Sequence, residues 1–248
     1  MIPIQDTIPS RSVPLITWLL IGLNTTFFAL ELGLSDAALQ QVFYLFGVVP
    51  ARYTDPSWAS WVGLPHSYWP FVTSVFLHGG WLHIISNMWA LLLFGDNVEE
   101  RMGGTRYLIF YLLSGIASNV VHVLLNADST VPAVGASGAI AGVMGAYLIL
   151  FPRSRIIVLL PILFIPFFFE IPAIVYLAVW FYSQLFNGVL SLAAPDNVGG
   201  IAWWAHVGGF AVGLTLHRLF LLPRVQRPRS RQADEWFLED VWASRKWR

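Results

Sequence analysis

The segment AVGASGAIAGVMGAY, residues 133 to 147, carries one hydroxyl side chain ahead of its closing tyrosine, that of Ser137, among small residues. Gly138 and Gly142 follow it and are four residues apart. Residues with this spacing share one face of a helix, and small residues on that face let a second helix approach closely. The segment therefore predicts a helix that packs tightly against a neighbour near Ser137.

The whole chain is apolar enough to make a lipid bilayer the expected surroundings of this helix. Of its 248 residues 56% are hydrophobic and only 11% are charged, and the mean hydropathy is +0.64. Soluble domains average about 25% charged residues. We therefore expect a polytopic membrane protein without a nucleic-acid partner. Because the chain has no cysteine, disulfides and thiolate metal sites are excluded, and we expect neither metal nor cofactor.

Six stretches are read as transmembrane helices, which need about 20 mostly apolar residues. Between the fourth and the fifth, Pro161, Pro166 and Pro172 recur too often for a continuous helix, so we predict that residues 156–172 are an extended, partly embedded lead-in to the fifth span. The predicted fold class is an all-α bundle of six helices with an outer loop insertion. The six stretches are 14–33, a span centred on 82–95, 106–126, 137–151, 171–193 and 201–222.

The charges predict how the chain crosses the membrane. We divide it into an N-terminal segment (1–13), a membrane domain (14–222) with an outer loop (34–69), and a C-terminal tail (223–248). Lys and Arg are enriched in cytoplasmic loops. With the N-terminus inside, thirteen of the fourteen basic residues lie inside and Arg52 alone lies outside. Both termini are therefore expected in the cytoplasm.

Two further expectations concern the segments outside the spans. DAALQQVFYLF, residues 36–46, is predicted as a short helix at the membrane surface. The first residues lack a basic stretch followed by a short apolar run and a cleavage site, so no cleaved signal peptide is expected. A bacterial plasma membrane is the expected location.

Polar side chains inside the spans mark candidate functional positions, because they are costly in a bilayer. In the sixth span, His206 is followed at i+3 and i+7 by Gly209 and Gly213, so its imidazole shares the small-residue face of that helix. If this face meets that of Ser137, the imidazole could take the proton of the serine as it attacks a carbonyl. The alternative is that these glycines serve packing alone and the serine bonds a backbone carbonyl.

The second span carries two polar residues on one face, His83 and Asn87, at i and i+4. Together with the backbone N–H of Ser137 they could hold a developing oxyanion. The alternatives are a water-lined polar seam or a metal pair of His78 and His83, although metal ligands on a helix favour a spacing of four rather than five. Gly135 is predicted to allow a tight turn before the helix and to border the substrate.

At these residues the chain resembles the rhomboid family of intramembrane serine proteases. HGGWLHIISNM (78–88), GASG (135–138) and AHVGGFAVG (205–213) are similar, in this order, to family motifs of the second, fourth and sixth spans. FGDNVEERMGGTRY (94–107) also looks like the inner turn after the second span. The resemblance covers roughly residues 40 to 222. One departure is that Ala51 precedes Arg52, where the family often has a tryptophan.

The resemblance implies a serine endopeptidase with a dyad of Ser137 and His206 and no acidic third member. Its substrates would be membrane proteins whose transmembrane segments contain helix-destabilising residues. His83 and Asn87 would assist at the oxyanion. Glu170, in the proline-rich segment, leaves a triad open. A catalytically inactive relative that binds membrane clients is the alternative.

Overall fold

The computed structural model describes residues 2–162, 165–191 and 202–223, so the tail from residue 224 onward lies outside the described residues. Short 3-10 turns cover Ser74–Phe76 and His217–Phe220. The strands are β1 (Ile2–Asp6), β2 (Arg155–Ile162) and β3 (Ile165–Pro172). The helices are α1 (Leu15–Glu31), α2 (Asp36–Phe46), α3 (Ala51–Thr54), α4 (Pro56–Trp61), α5 (Pro70–Thr73), α6 (Trp81–Met102), α7 (Gly104–Leu125), α8 (Ser137–Leu150), α9 (Ala173–Ser191) and α10 (Trp203–Leu216).

The described residues form a mostly helical protein with helices suited to a membrane. By length and composition, α7 and α9 are long and apolar enough to cross one. Residues 70–76 and α6 form a pair bent by 94°, and this pair would be a third span if it is treated as one broken helix. The apolar helices α1 and α8 are shorter. Helices occupy all six predicted spans, but the number that cross the membrane stays a prediction.

Helix α8 is the centre of the molecule. Its residues from Gly138 to Tyr147 are all buried, and α6, α7, α9 and α10 pack around it. Fourteen residues give a helix about 21 Å long, whereas the hydrocarbon core of a bilayer is about 30 Å thick. In a bilayer, α8 is therefore too short to reach from one surface of the hydrocarbon core to the other.

Glycine allows α8 and α10 to touch backbone to backbone. A Cβ added at Gly209 would collide with the carbonyl oxygen of Gly138, and one added at Gly213 would collide with that of Gly142. Only the absence of side chains permits this approach. The contact fixes the height of α10 relative to the first turn of α8.

A buried carboxylate joins α1 to α6. Glu99 Oε2 accepts from the backbone N–H and the hydroxyl of Thr17, both at 2.8 Å, and Oε1 accepts from the N–H of Ile16 at 2.9 Å. The first N–H groups of a helix have no partner within the helix. Glu99 supplies that partner, and its negative charge suits the positive end of the helix dipole.

The all-α prediction is wrong between α8 and α9 and at the N-terminus, where the described residues form a three-stranded antiparallel sheet in the order β1-β2-β3. The segment predicted as an extended lead-in is a hairpin. Its prolines fit because they stand at the strand ends: Pro161 pairs with Pro166 near the turn, and Pro172 pairs with Arg155. Pro166 and Pro172 lie on β3, an edge strand, where half of the N–H groups bond to no other strand. Pro161 lies on the central strand β2, but beyond the residues that pair with β1.

Strand β1 adds residues 2–6 to this hairpin, from about 150 positions away in the sequence. Asp6, at its end, accepts hydrogen bonds from the Tyr147 hydroxyl at 2.5 Å and from Asn97 Nδ2 at 3.0 Å. Burial raises the pKa of the Asp6 carboxyl, and the bond from Tyr147 opposes that shift. The N-terminal strand is thereby tied to both α6 and α8.

Residues 34–69, predicted to be an outer loop, contain the predicted helix, since α2 covers Asp36–Phe46 and Ser35 caps it through a bond from Ala38 N. Arg52 is buried and donates to the carbonyl oxygens of Tyr44 and Leu45 in the last turn of α2. Those carbonyls have no partner within the helix. Arg52 therefore caps α2 and holds the loop together without a preceding tryptophan.

Candidate active site

Ser137 and His206 form a hydrogen bond, with 2.7 Å between Ser137 Oγ and His206 Nε2. Ser137 is the first residue of α8, and His206 lies in the first turn of α10. The glycine contact between these helices brings the two side chains to the same level. Both residues are partly exposed, so a reactant can approach them.

Gly135 shapes the chain that leads into α8. Its φ of +129° is a conformation that side chains disfavour, and its N–H donates to the carbonyl oxygen of Ser74 at 2.8 Å. A Cβ added there would lie 2.6 Å from His83 Nε2 and 3.7 Å from Asn87 Nδ2. The structure thus brings His83 and Asn87 against the segment that carries Ser137.

Donor groups near Ser137 have no hydrogen-bond partner among the described residues. Asn87 is 6% exposed, and its Nδ2 has no hydrogen-bond partner within the described part of the chain. Buried polar groups are normally satisfied, so an unpaired donor requires an explanation. In the part of the chain that the structure describes, the α8 N-terminus likewise has no side-chain cap at Ala136, and the N–H groups of a first helical turn lack partners within the helix. Both features suit an anionic oxygen.

The other ring nitrogen of His206 is also engaged. Its Nδ1 lies 2.7 Å from Gln184 Oε1 on α9. The ring centroid lies 6.0 Å from that of Trp180 and 6.3 Å from that of Trp203. The sequence showed Gln184 only as one polar residue of an apolar span. Which face of α9 carries it, and against what, could not be read from the sequence.

His78 lies beside this site without joining the hydrogen bonds. Its ring centroid is 5.1 Å from that of His83, and neither ring nitrogen has a partner among the described residues. Its backbone N–H donates to the Glu31 carboxylate. Within the described ranges no group of three or more His, Asp and Glu side chains could hold a metal ion.

Glu170 is not brought to the dyad. It lies on β3, and its carboxylate is 3.2 Å from Arg155 Nη1 across the hairpin. Arg155 follows the C-terminal end of α8, whereas Ser137 opens the helix. The length of α8, about 21 Å, separates the two regions. A triad through Glu170 is therefore inconsistent with the fold.

Similarity to known proteins extends over much of the chain. A family model described as "Rhomboid domain" matches residues 65–223, well over half of the chain. RHOMBOID-like protein 6, mitochondrial, of Arabidopsis thaliana is 30% identical over 163 residues, which is 62% of this chain and 44% of that protein. Rhomboid protein 1, mitochondrial, of Saccharomyces cerevisiae is 28% identical over 173 residues, 67% of this chain and 46% of that protein.

A protein of Bacillus subtilis, provisionally named rhomboid protease YdcA, is 34% identical to this chain over 116 residues. These residues are 45% of this chain and 58% of the Bacillus protein. The chain thus spans less than two thirds of each of these relatives. Since two of the three are named mitochondrial, the expected bacterial plasma membrane gains no support. The family match and the apolar helices make this a membrane protein, and the chain belongs to the rhomboid family.

Proposed function

We propose that the protein is an intramembrane serine endopeptidase, with Ser137 as nucleophile and His206 as general base. The observation that carries the proposal is the 2.7 Å separation of Ser137 Oγ and His206 Nε2. A serine nucleophile needs an adjacent base within this reach. The chain's membership of the rhomboid family, which includes serine proteases, supports the same chemistry.

The proposed reaction is acyl transfer in two steps. Ser137 Oγ attacks the carbonyl carbon of a peptide bond while His206 Nε2 takes the hydroxyl proton. The C–N bond then breaks, and the imidazolium returns that proton to the leaving amine. A water molecule, deprotonated by the same imidazole, next attacks the acyl-enzyme and releases the carboxylic acid. Ser137 regains its proton from His206.

We assign the oxyanion of the tetrahedral intermediates to donors from α6 and α8. Asn87 Nδ2 is a buried donor without a partner among the described residues, and the Ser137 N–H lies at the uncapped start of α8. His83 Nε2 faces Gly135 and would donate when protonated there. Such preorganised donors stabilise charge best where water is excluded.

The proposed substrates are membrane proteins cut in or near a transmembrane segment. A helix hides its carbonyl groups in i to i−4 hydrogen bonds, so the segment must unwind before Ser137 can reach it. Glycine or proline near the cleavage site lowers helix stability and favours cleavage. Gly135 would border the bound segment.

We also propose that the site lies in a membrane domain, residues 14–222, and that both termini are in the cytoplasm. The distribution of Lys and Arg supports this orientation. Ser137 then lies in the outer half of the bilayer, because it follows an outer loop. Water for hydrolysis would enter from that side.

A fluorophosphonate probe tests the proposal without knowledge of the substrate. In the membrane-embedded protein, we expect the probe to modify Ser137, identified by mass spectrometry of the labelled peptide. Ser137→Ala and His206→Ala should lose labelling and should also lose cleavage of a single-span substrate. Ser86→Ala, which removes an exposed hydroxyl on α6, is the matched control and should be labelled normally. Absence of labelling in the wild type would instead favour an inactive protein that binds membrane clients.

A further inference from the structure

His206 is held at both ring nitrogens by groups from different helices. Nε2 lies 2.7 Å from Ser137 Oγ on α8, and Nδ1 lies 2.7 Å from Gln184 Oε1 on α9. Gln184 is only 6% exposed. His206 therefore contacts Ser137 through one ring nitrogen and the buried side chain of Gln184 through the other.

The amide nitrogen of Gln184 determines which atom faces the imidazole. Gln184 Nε2 donates to Ser183 Oγ at 2.9 Å and to the carbonyl oxygen of Trp180 at 3.2 Å. A flipped amide would turn its oxygen toward the Trp180 carbonyl oxygen, and two groups that only accept would face each other. The amide oxygen therefore faces His206.

This orientation selects one form of the imidazole. An amide oxygen only accepts hydrogen bonds, so Nδ1 of neutral His206 must carry the ring proton. Nε2 is then the free acceptor. We infer that Gln184 is a positioning residue, which holds His206 in the tautomer and at the angle that direct Nε2 to Ser137. The inference rests on the proposed proteolysis.

The same bond makes the base depend on the docking of α9 against α10. Phe181 stacks on Phe210 with 4.7 Å between ring centroids, and Gly188 leaves room for the Trp204 ring. These contacts hold α9 at the height at which Gln184 meets His206. Helix α9 therefore contributes to the proposed chemistry without touching the nucleophile.

Kinetics of the full chain in bilayer nanodiscs give the first test. Gln184→Met removes the acceptor with little change in side-chain length, and kcat should fall roughly 10- to 100-fold, a part of the roughly 10²- to 10⁴-fold that a positioned general base contributes. KM should stay unchanged, because the substrate contacts remain. Gln184→Glu retains an acceptor oxygen and should recover most of the rate. Gln184→Leu is the second variant without an acceptor, should the methionine variant not fold.

Asn187→Leu is the matched control for these variants. Asn187 lies one turn further along α9, and its amide donates to the carbonyl oxygen of Ser183 in the same helix. Its replacement removes an amide of α9 without touching His206. We expect kcat, KM and the thermal unfolding midpoint of this variant to match the wild type. A loss of rate in Asn187→Leu equal to that in Gln184→Met would overturn the inference.

The second readout is the tautomer itself, from nitrogen-15 NMR of histidine-labelled protein assigned with His206→Ala. The wild type, Gln184→Glu and Asn187→Leu should show a protonated Nδ1. Gln184→Met should show a second population with the proton on Nε2. A wild-type spectrum in Gln184→Met overturns the inference, even if its rate falls. Because this measurement needs no substrate, it still decides the role of Gln184 if probe labelling of Ser137 fails and the proposed function is lost.

Discussion

Asn87 is the residue whose surroundings most clearly call for a ligand. Its Nδ2 is buried, lies 3.7 Å from the position of a Cβ on Gly135, and has no partner within the described ranges. An unsatisfied buried donor costs stability, so removing it should not destabilise the protein. The fold tolerates this cost at a position that faces the proposed oxyanion.

We therefore expect Asn87→Ala to separate activity from stability. With one oxyanion donor lost, kcat for a single-span substrate should fall by a factor on the order of 100, while the thermal unfolding midpoint stays near that of the wild type. Ser86→Ala, beside it on α6, should change neither quantity. An unchanged kcat in Asn87→Ala would remove this residue from the oxyanion role.

The sequence indicated some members of the site and not others, for a physical reason. Ser137, His206 and Asn87 stand out because they interrupt runs of apolar or small residues at helical spacings. Gln184 interrupts such a run too, but its role depends on how α9 is rotated and docked. That rotation is set by tertiary contacts, such as the stacking of Phe181 on its neighbour. A single sequence does not carry that information.

At the scale of helices, the contact between α8 and α10 sets the distance within the dyad. Gly209 lies against the backbone of Gly138, the residue that follows Ser137, and three positions from His206. A methyl group there must push one helix away, because backbone cannot move aside as a flexible side chain does. Packing and the proposed catalysis thus depend on the same glycine.

Gly209→Ala is expected to lower both stability and rate. The overpacked contact should cost about 1–3 kcal/mol of unfolding free energy, and a shift of about 1 Å between Ser137 and His206 should cost up to 100-fold in kcat. The matched control is Gly22→Ala in α1, where an added Cβ meets no atom of another described element within 4 Å. There the effect should stay within about 1 kcal/mol. Equal behaviour of the two variants would contradict the tight contact.

Elements defined by local pattern were predictable, and those defined by distant pairing were not. Helix α2 has Ser35 as its cap, Asp36 in its first turn and Gly47 directly after its last residue, so its bounds of 36–46 follow from nearby residues. The sheet was not predicted because β1 is only five residues long and pairs with β2 across some 150 positions of sequence. The prolines of residues 156–172 excluded a helix, but they did not identify the partner strands.

For the whole molecule, the unequal distribution of charge is the physical basis of orientation. Thirteen basic residues lie in segments predicted to be inside, where they favour the cytoplasmic face. The one predicted outside, Arg52, is buried as the cap of α2. It is therefore engaged within the protein rather than available to the membrane surface, which leaves the side predicted to be outer still poorer in free positive charge.

Single cysteines test this orientation, because the chain contains none of its own. Ser60→Cys lies in the loop predicted to be outside and Ser12→Cys precedes α1, and both positions are exposed. In intact cells, a membrane-impermeant maleimide should label Ser60→Cys at once and Ser12→Cys only after the membrane is permeabilised. The unaltered protein should not react under either condition. Labelling in the opposite order would invert the orientation, and Ser137 would then lie in the inner half of the bilayer, with water for hydrolysis entering from the cytoplasm.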